Sequence, residues 1–233
     1  IADAEGLVVR DGSGIAAPQD VRGKRLAVAF VSTTHFHALF ALKQFGIEPG
    51  AVQILNLPPN AIAAAWQRGD IDAAFVWNPA LARIKETGKV LVTSGDLGRW
   101  GQPTFDGLVA ARRFSRSHPD FMVRFIQVLA RTDAEYRNAP QTWTPESPQV
   151  QAIVQLVGGN PQDVPAVLAS YDFPDLEAQK SCQWLGCGPR GGAARALKAT
   201  AEFLEAEGKI SEVQPDYSAF INATWVEKTL NRR

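Results

Sequence analysis

The chain has 233 residues, of which 45% are hydrophobic and 21% are charged. This composition is typical of a globular protein and excludes a disordered one, and the length suffices for one large domain or two lobes. Lysine plus arginine and aspartate plus glutamate each number 24, so the net charge is zero. No nucleic acid is expected as a partner and no polybasic membrane surface is expected, because both kinds of binding need a positive surplus.

The first half of the chain alternates strand-like and helix-like segments. Apolar, β-branched runs predict strands, and runs with helical spacing that end at glycine or follow proline predict helices. Strands are expected at 6–10, 25–31, 52–57, 73–77 and 90–93, and helices at 35–45, 61–68 and 80–86. This rhythm predicts a mostly parallel sheet with helices on both faces.

The second half is predicted to be mainly helical. Its one expected strand is Gly107–Ala111, and its helices are expected at 117–138, 148–157, 163–169 and 192–207. One strand cannot form a sheet alone, so we expect these helices to pack on a sheet supplied elsewhere.

Two segments share the pattern acid-Gly-Leu-Val-small, Glu5–Val9 and Asp106–Ala110. They bracket the β/α block, which is typical of a domain inserted between two crossover strands, although five residues can also match by chance. If the two strands are neighbours, the carboxylates of Glu5 and Asp106 converge at one hinge. The alternative is two solvated surface acids.

Cys182 and Cys187 lie five positions apart. They form either a small disulfide loop in an oxidising compartment or two unrelated thiols, because the sequence does not give the Cα spacing that the bond requires. A zinc site is not expected, since this cysteine pair stands alone and the three histidines lie far from it in the sequence.

Ser32, Thr33 and Thr34 directly follow a predicted strand and open the predicted helix through His35. In open α/β sheets, ligands bind beyond the carboxyl ends of the strands, where helix N-termini point. Free N–H groups, three hydroxyls and the helix dipole together make an anion site there, and simple helix capping is the alternative. The motif of a nucleotide P-loop is absent.

Trp77 ends a predicted strand and therefore lies at a carboxyl end as well. An indole at this place can form a cleft wall and cover the methylenes or the ammonium of a ligand, or it can belong to the core.

A nucleophilic triad can be written from Ser32, His35 and Asp106. However, no G-x-S-x-G elbow surrounds Ser32, and a serine and a histidine within one helical turn do not give the usual geometry of nucleophile and base. A cleft hydrolase remains the alternative from another class of function.

Several of these motifs carry a family resemblance. The chain resembles the taurine-binding proteins of bacterial ABC importers, in the nitrate, sulfonate and taurine solute-binding family, at Gly23–Val28, Ser32–His35, Ala64–Asp72, Val76–Pro79 and Gly101–Asp106. The resemblance covers nearly the whole chain and is strongest from Gly23 to Asp106.

The resemblance implies an α/β, two-lobed periplasmic-binding-protein fold of type II. Lobe one would comprise residues 1–10 and 106–233 and would be N-terminally truncated, lacking a first half-lobe. Lobe two would be the inserted α/β domain, residues 11–105.

The resemblance also implies a ligand site between the lobes. The sulfonate of taurine would lie on Ser32, Thr33, Thr34 and the helix start at His35. Its ammonium would meet Asp106, with Glu5 as a second acid, and Trp77 would pack over the ethylene spacer. The two charged ends would lie at opposite ends of one cleft, which favours a short zwitterion over a plain anion.

The function implied is a periplasmic, monomeric receptor that binds taurine and delivers it to an ABC permease, without a cofactor, a metal or enzymatic activity. The alternative within this class is a receptor for another alkylsulfonate or small anion. A further alternative is an inert fragment.

Overall fold

The computed structural model describes residues 1–232, which form two compact units. The first unit comprises residues 1–104 and 156–171, and the second comprises residues 105–155 and continues from residue 172. The first unit thus includes residues 1–10, which the resemblance assigns to lobe one. The division into lobes stays a prediction.

The centre of the first unit is a five-stranded sheet. Its strands are β1 (Glu5–Arg10), β2 (Arg25–Val28), β3 (Gln53–Asn56), β4 (Ala73–Trp77) and β5 (Gly88–Thr93). They lie in the order β3-β2-β4-β1-β5. All five were predicted from the sequence, although β2 ends three residues earlier than expected.

The sheet is mixed rather than mostly parallel in its pairing. β2 runs parallel to β3 and β4, whereas β1 runs antiparallel to both β4 and β5. Strands β2 to β5 share one direction because a helix crosses over between each of them and the next, and no α-helix separates β1 from β2. β1 is therefore the one strand of this sheet that is reversed.

The described residues contain eleven α-helices. They are α1 (Thr33–Gln44), α2 (Pro59–Arg68), α3 (Ala80–Lys85), α4 (Ser94–Arg99), α5 (Arg112–Ser117), α6 (Pro119–Asn138), α7 (Pro148–Val157), α8 (Val164–Ala169), α9 (Leu176–Lys180), α10 (Gly192–Ala206) and α11 (Thr224–Leu230). The predicted helix at 117–138 is α6, which begins two residues later than expected, and four short helices, α4, α5, α9 and α11, were not predicted.

Helices cover both faces of the sheet, as the sequence predicted. On one face, Leu7 and Val9 of β1 pack in a core with residues of α1 and α4. On the other face, Val8 packs in a second core with residues of α2 and α3. The alternation along β1 is the two-residue period of a strand that is buried on both sides.

The strand predicted at Gly107–Ala111 is wrong. Residues 102–111 have no regular secondary structure, and Val109 is 98% exposed. A strand needs a neighbour to pair its N–H and C=O groups. Its expected partner, β1, already pairs with β4 on one side and β5 on the other. Glu5 and Asp106 therefore do not lie on neighbouring strands.

Asp72 joins the starts of β2 and β4. Its carboxylate accepts hydrogen bonds from the backbone N–H of Arg25 at 3.0 Å and from the Arg25 guanidinium at 3.0 and 2.8 Å. These bonds lower the pKa of Asp72 to about 2. This acid, which belongs to one of the motifs behind the family resemblance, has a structural role.

The second unit is helical. Its long helix α6 packs against α11, and Asp120 of α6 pairs with Arg232 at 2.6 Å. Tyr136 makes edge contacts with the rings of Trp143 and Phe173. Cys182 and Cys187 form a disulfide, with their Cα atoms 5.0 Å apart, so the disulfide alternative is confirmed.

The C-terminal end of α2 depends on Gly69, whose φ of +77° lies in the left-handed region. An added Cβ meets only ordinary van der Waals contacts there, so the destabilisation by Gly69→Ala comes from the left-handed backbone conformation alone. We expect this substitution to lower the free energy of unfolding by about 1 kcal/mol. Denaturant unfolding measures the change.

Gly50→Ala is the matched control, because Gly50 has no atom near the added Cβ and does not have a left-handed φ. Its effect should stay within about 0.5 kcal/mol. Equal effects of the two substitutions would contradict the assignment to backbone conformation.

Candidate functional site

The predicted site residues of the first unit meet at one edge of its sheet. The carboxyl ends of β2 and β4 lie at this edge because the two strands are parallel. β1 is reversed, so its first residue, Glu5, lies at the same edge and pairs directly with Trp77 at the end of β4. Residues opposite each other on neighbouring strands point to the same face.

The N-terminus of α1 follows β2 at this edge. Ser32 is the N-cap, and its Oγ accepts a hydrogen bond from the N–H of His35 at 3.3 Å. The same hydroxyl donates to the carbonyl of Ala29 at 2.6 Å and lies 2.9 Å from the hydroxyl of Thr34. Capping is therefore a real role of Ser32, and the first N–H groups of the helix still have no acceptor within the helix.

The backbone just before this helix is strained. Val31 has a φ of +61°, a value that a β-branched residue rarely adopts. Its N–H donates to Nδ1 of His35 at 3.3 Å. This bond and the Ser32 cap hold the turn in place, and strain of this kind is concentrated at functional sites.

His35 is buried, and its ring stacks on Phe30 with centroids 4.3 Å apart. Because Nδ1 accepts from the Val31 N–H, the neutral ring carries its hydrogen on Nε2. A general base needs a free lone pair on its ring. This geometry argues against the triad of Ser32, His35 and Asp106.

Thr33 connects the helix start to β1. Its hydroxyl donates to Oε1 of Glu5 at 2.5 Å, and Glu5 is only 5% exposed. The expectation that Glu5 lies with the acids at the far end of the cleft from the hydroxyls is therefore wrong. The reason is the reversal of β1, which brings Glu5 to the hydroxyl-bearing turn.

Three residues that the sequence did not single out as site residues extend this contact into the core. The Oγ of Ser94 lies 2.8 Å from Oε2 of Glu5 and 2.7 Å from Nδ1 of His37. Nε2 of His37 lies 2.8 Å from the carbonyl oxygen of Gln102. We refer to this run, Thr33–Glu5–Ser94–His37–Gln102, as the polar chain.

Two sequence signals could have indicated its members. His37 lies one helical turn after Thr33, so the two share a face of α1. Ser94 follows β5 at its carboxyl end, which is the same position that drew attention to Ser32 after β2.

Burial of the His37 side chain lowers its pKa to about 4, and the hydrogen bond to Gln102 only partly opposes this effect. The nearby α-ammonium of Ile1 lowers the pKa further. His37 is therefore neutral near pH 7.

The remaining two predicted residues differ in their setting. Trp77 is half-buried at the end of β4, on the side of the sheet that faces α1. Asp106 belongs to the second unit and is exposed on the irregular stretch before α5. The participation of Asp106 in a site with Thr33 stays a prediction.

No cluster of three or more histidine, cysteine, aspartate or glutamate side chains within residues 1–232 is arranged to hold a metal ion. In the same part of the chain, no helix has both the length and the apolar character that crossing a bilayer requires.

The neutral His37 should make stability depend on pH. Its pKa rises from about 4 in the folded chain to 6.5 in the unfolded chain, so the unfolded state binds more protons between these values. The stabilisation is complete above pH 6.5 and is lost as the pH falls toward 4, by about 3 kcal/mol in all. His37→Gln should remove this part of the pH dependence, as measured by unfolding free energies between these pH values.

His118→Gln is the control, because His118 is an exposed histidine of the second unit. If the two variants have the same pH dependence, burial of His37 does not cause the effect.

Comparison with known proteins identifies the family. The chain is 38% identical over 227 residues to the taurine-binding periplasmic protein of Escherichia coli (strain K12), covering 97% of this chain and 68% of that protein. Its fold matches the crystal structure of the periplasmic aliphatic sulphonate binding protein of Escherichia coli with a TM-score of 0.73 at 20% identity, covering 97% of this chain and 71% of the other.

A second solved structure, the alkanesulfonate-binding protein from Xanthomonas axonopodis pv. citri bound to MOPS, matches with a TM-score of 0.63 at 19% identity, covering 98% of this chain and 69% of that chain. These likenesses confirm the predicted α/β fold class. The family profile described as NMT1/THI5 like matches residues 2–143. The chain therefore belongs to the NMT1/THI5-like family, together with the taurine-binding periplasmic protein of Escherichia coli.

Proposed function

We propose that this chain is a solute receptor that binds taurine, with the sulfonate on the hydroxyl-bearing N-terminus of α1. The observation that carries the proposal is the arrangement of Thr33, Thr34 and the first N–H groups of α1 beside Trp77, at the edge of the sheet where parallel strands end. The taurine-binding relative, which is similar over nearly the whole chain, supports the same ligand.

The chemistry of this turn suits a sulfonate. A sulfonate has three oxygens that accept hydrogen bonds and carries its charge at any physiological pH. Backbone N–H groups at the positive end of a helix provide donors for it without a lysine or an arginine. The twelve residues of α1 are long enough for the dipole to contribute.

The other end of the ligand needs an acid and an apolar wall. We infer that Asp106 pairs with the ammonium and that the indole of Trp77 covers the two methylenes. An unpaired carboxylate beside a plain alkylsulfonate would repel it, so Asp106 favours a zwitterion. Another alkylsulfonate or a small anion is the alternative ligand, and the experiment below separates the two.

Receptor function rather than hydrolysis is supported by His35, whose Nδ1 is occupied by the Val31 N–H. We infer that the receptor delivers its ligand to an ABC permease, and that it does so as a monomer in the periplasm. The disulfide between Cys182 and Cys187 is consistent with an oxidising compartment.

Substitution of Asp106 tests the assignment of the ammonium. Asp106→Asn should weaken taurine binding by about 10-fold to 150-fold, because a charge-assisted hydrogen bond contributes about 1.5–3 kcal/mol. Binding of ethanesulfonate, which has no ammonium, should not weaken. Isothermal titration calorimetry with both ligands measures the two effects.

Asp11→Asn is the control, since Asp11 is an exposed acid that directly follows β1, at the opposite end of that strand from Glu5. Equal loss of both ligands in Asp106→Asn would remove Asp106 from the ammonium site. Absence of taurine binding by the unsubstituted chain would contradict the proposed function itself.

A further inference from the structure

The four contacts of the polar chain cannot each contain a hydrogen if Glu5 is ionised and His37 is neutral. Its four contacts, from the Thr33 hydroxyl to the Gln102 carbonyl, measure 2.5, 2.8, 2.7 and 2.8 Å. Each contact of this length needs one hydrogen between its two heavy atoms. The hydrogens can therefore be counted from the Gln102 end.

The carbonyl oxygen of Gln102 has no hydrogen, so Nε2 of His37 must supply the one between them. The His37 side chain is fully buried, which favours the uncharged imidazole. Nδ1 then carries only a lone pair and must accept the hydrogen of the Ser94 hydroxyl.

A serine hydroxyl has only one hydrogen. Once that hydrogen points to His37, the 2.8 Å contact between Ser94 Oγ and Glu5 Oε2 has a hydrogen only if Glu5 provides it. The other carboxyl oxygen, Oε1, accepts from Thr33. A protonated Glu5 satisfies all four contacts.

The negative charge of the proposed sulfonate also favours a protonated, uncharged Glu5. Glu5 lies against Thr33 at the N-terminus of α1, where we place the sulfonate. Two negative charges at one helix terminus would compete for the same N–H dipoles and repel each other in a poorly solvated place.

We propose that Glu5 is an uncharged carboxylic acid that donates its hydrogen to Ser94, so that the anion-binding end of the site holds no negative charge of its own. Glu5 is then a positioning residue, which orients Thr33 and leaves the ammonium to Asp106. This inference rests on the proposed function for its role in binding, but not for the protonation itself.

The other titratable and charged groups around the polar chain have their own partners. Asp3 accepts a hydrogen bond from the Thr93 hydroxyl, and Asp96 accepts one from the Thr93 N–H and pairs with Arg99 at 2.6 Å. The α-ammonium of Ile1 donates to the carbonyl of Thr104 at 2.8 Å. His35 of α1 accepts from the Val31 N–H.

Infrared spectroscopy of the ligand-free chain tests the protonation directly. With ¹³C-labelled glutamate, the carbonyl stretch of a protonated glutamic acid should be present near pH 7, where exposed glutamates are ionised. The band should disappear in Glu5→Gln and remain in Glu48→Gln, whose glutamate is exposed. A wild-type spectrum without this band would overturn the proposal, even if Glu5→Gln does not fold.

Calorimetry of the folded Glu5→Gln variant tests the role in binding, because the glutamine amide mimics a protonated carboxyl. We expect taurine and ethanesulfonate to bind within about threefold of the wild-type affinity near pH 7. A rise in pH that ionises Glu5 should weaken ethanesulfonate in the wild type and should leave the affinity of Glu5→Gln for ethanesulfonate unchanged, because this ligand has no ammonium to deprotonate.

Two results would overturn the binding role. If Glu5→Gln loses taurine but keeps ethanesulfonate, Glu5 is an ionised partner of the ammonium. If the folded variant loses both ligands, an ionised carboxylate is required. A wild type that binds neither ligand contradicts the proposed function instead, and the infrared band still decides the state of Glu5.

Discussion

Glu5 is a buried carboxyl group that connects three elements of the first unit. It belongs to β1, accepts a hydrogen bond from Thr33 at the start of α1 and shares another with Ser94 at the start of α4. A buried polar group that loses a hydrogen bond is costly, so each of these contacts restrains the others. The position of the hydroxyl-bearing turn therefore depends on an interaction with a strand far from it in the sequence.

The reversal of β1 makes this interaction possible. In a sheet with every strand parallel, Glu5 would lie at the opposite edge from the N-terminus of α1, because strand and helix starts alternate between the two edges. Antiparallel pairing with β4 places Glu5 opposite Trp77 instead. β4 and β5 together occupy both sides of β1, which explains why the similar sequence at 107–111 forms no strand with it.

The site combines neutral donors with strain and burial rather than with positive charge. Val31 keeps an unfavourable φ of +61° because its N–H and the Ser32 cap are both bonded. His37 stays neutral in the core, and its uncharged ring accepts the hydrogen of Ser94, whose oxygen is then left to accept from Glu5. A helix terminus supplied with donors in this way can hold an anion reversibly, without a permanent ion pair.

The sequence by itself determined the five strands of the sheet, the longer helices and the candidate residues at the carboxyl ends of β2 and β4, and it also predicted a strand at 107–111 that does not form. Hydrophobic periodicity and glycine stops such as Gly69 are local signals, and a family resemblance transfers ligand-binding positions without coordinates. Only the tertiary structure decided the direction of β1, the contact of Glu5 with Thr33 and the role of His37. The reason is physical: strand direction, burial and hydrogen-bond partners depend on residues that are distant in the chain, and no local pattern specifies them.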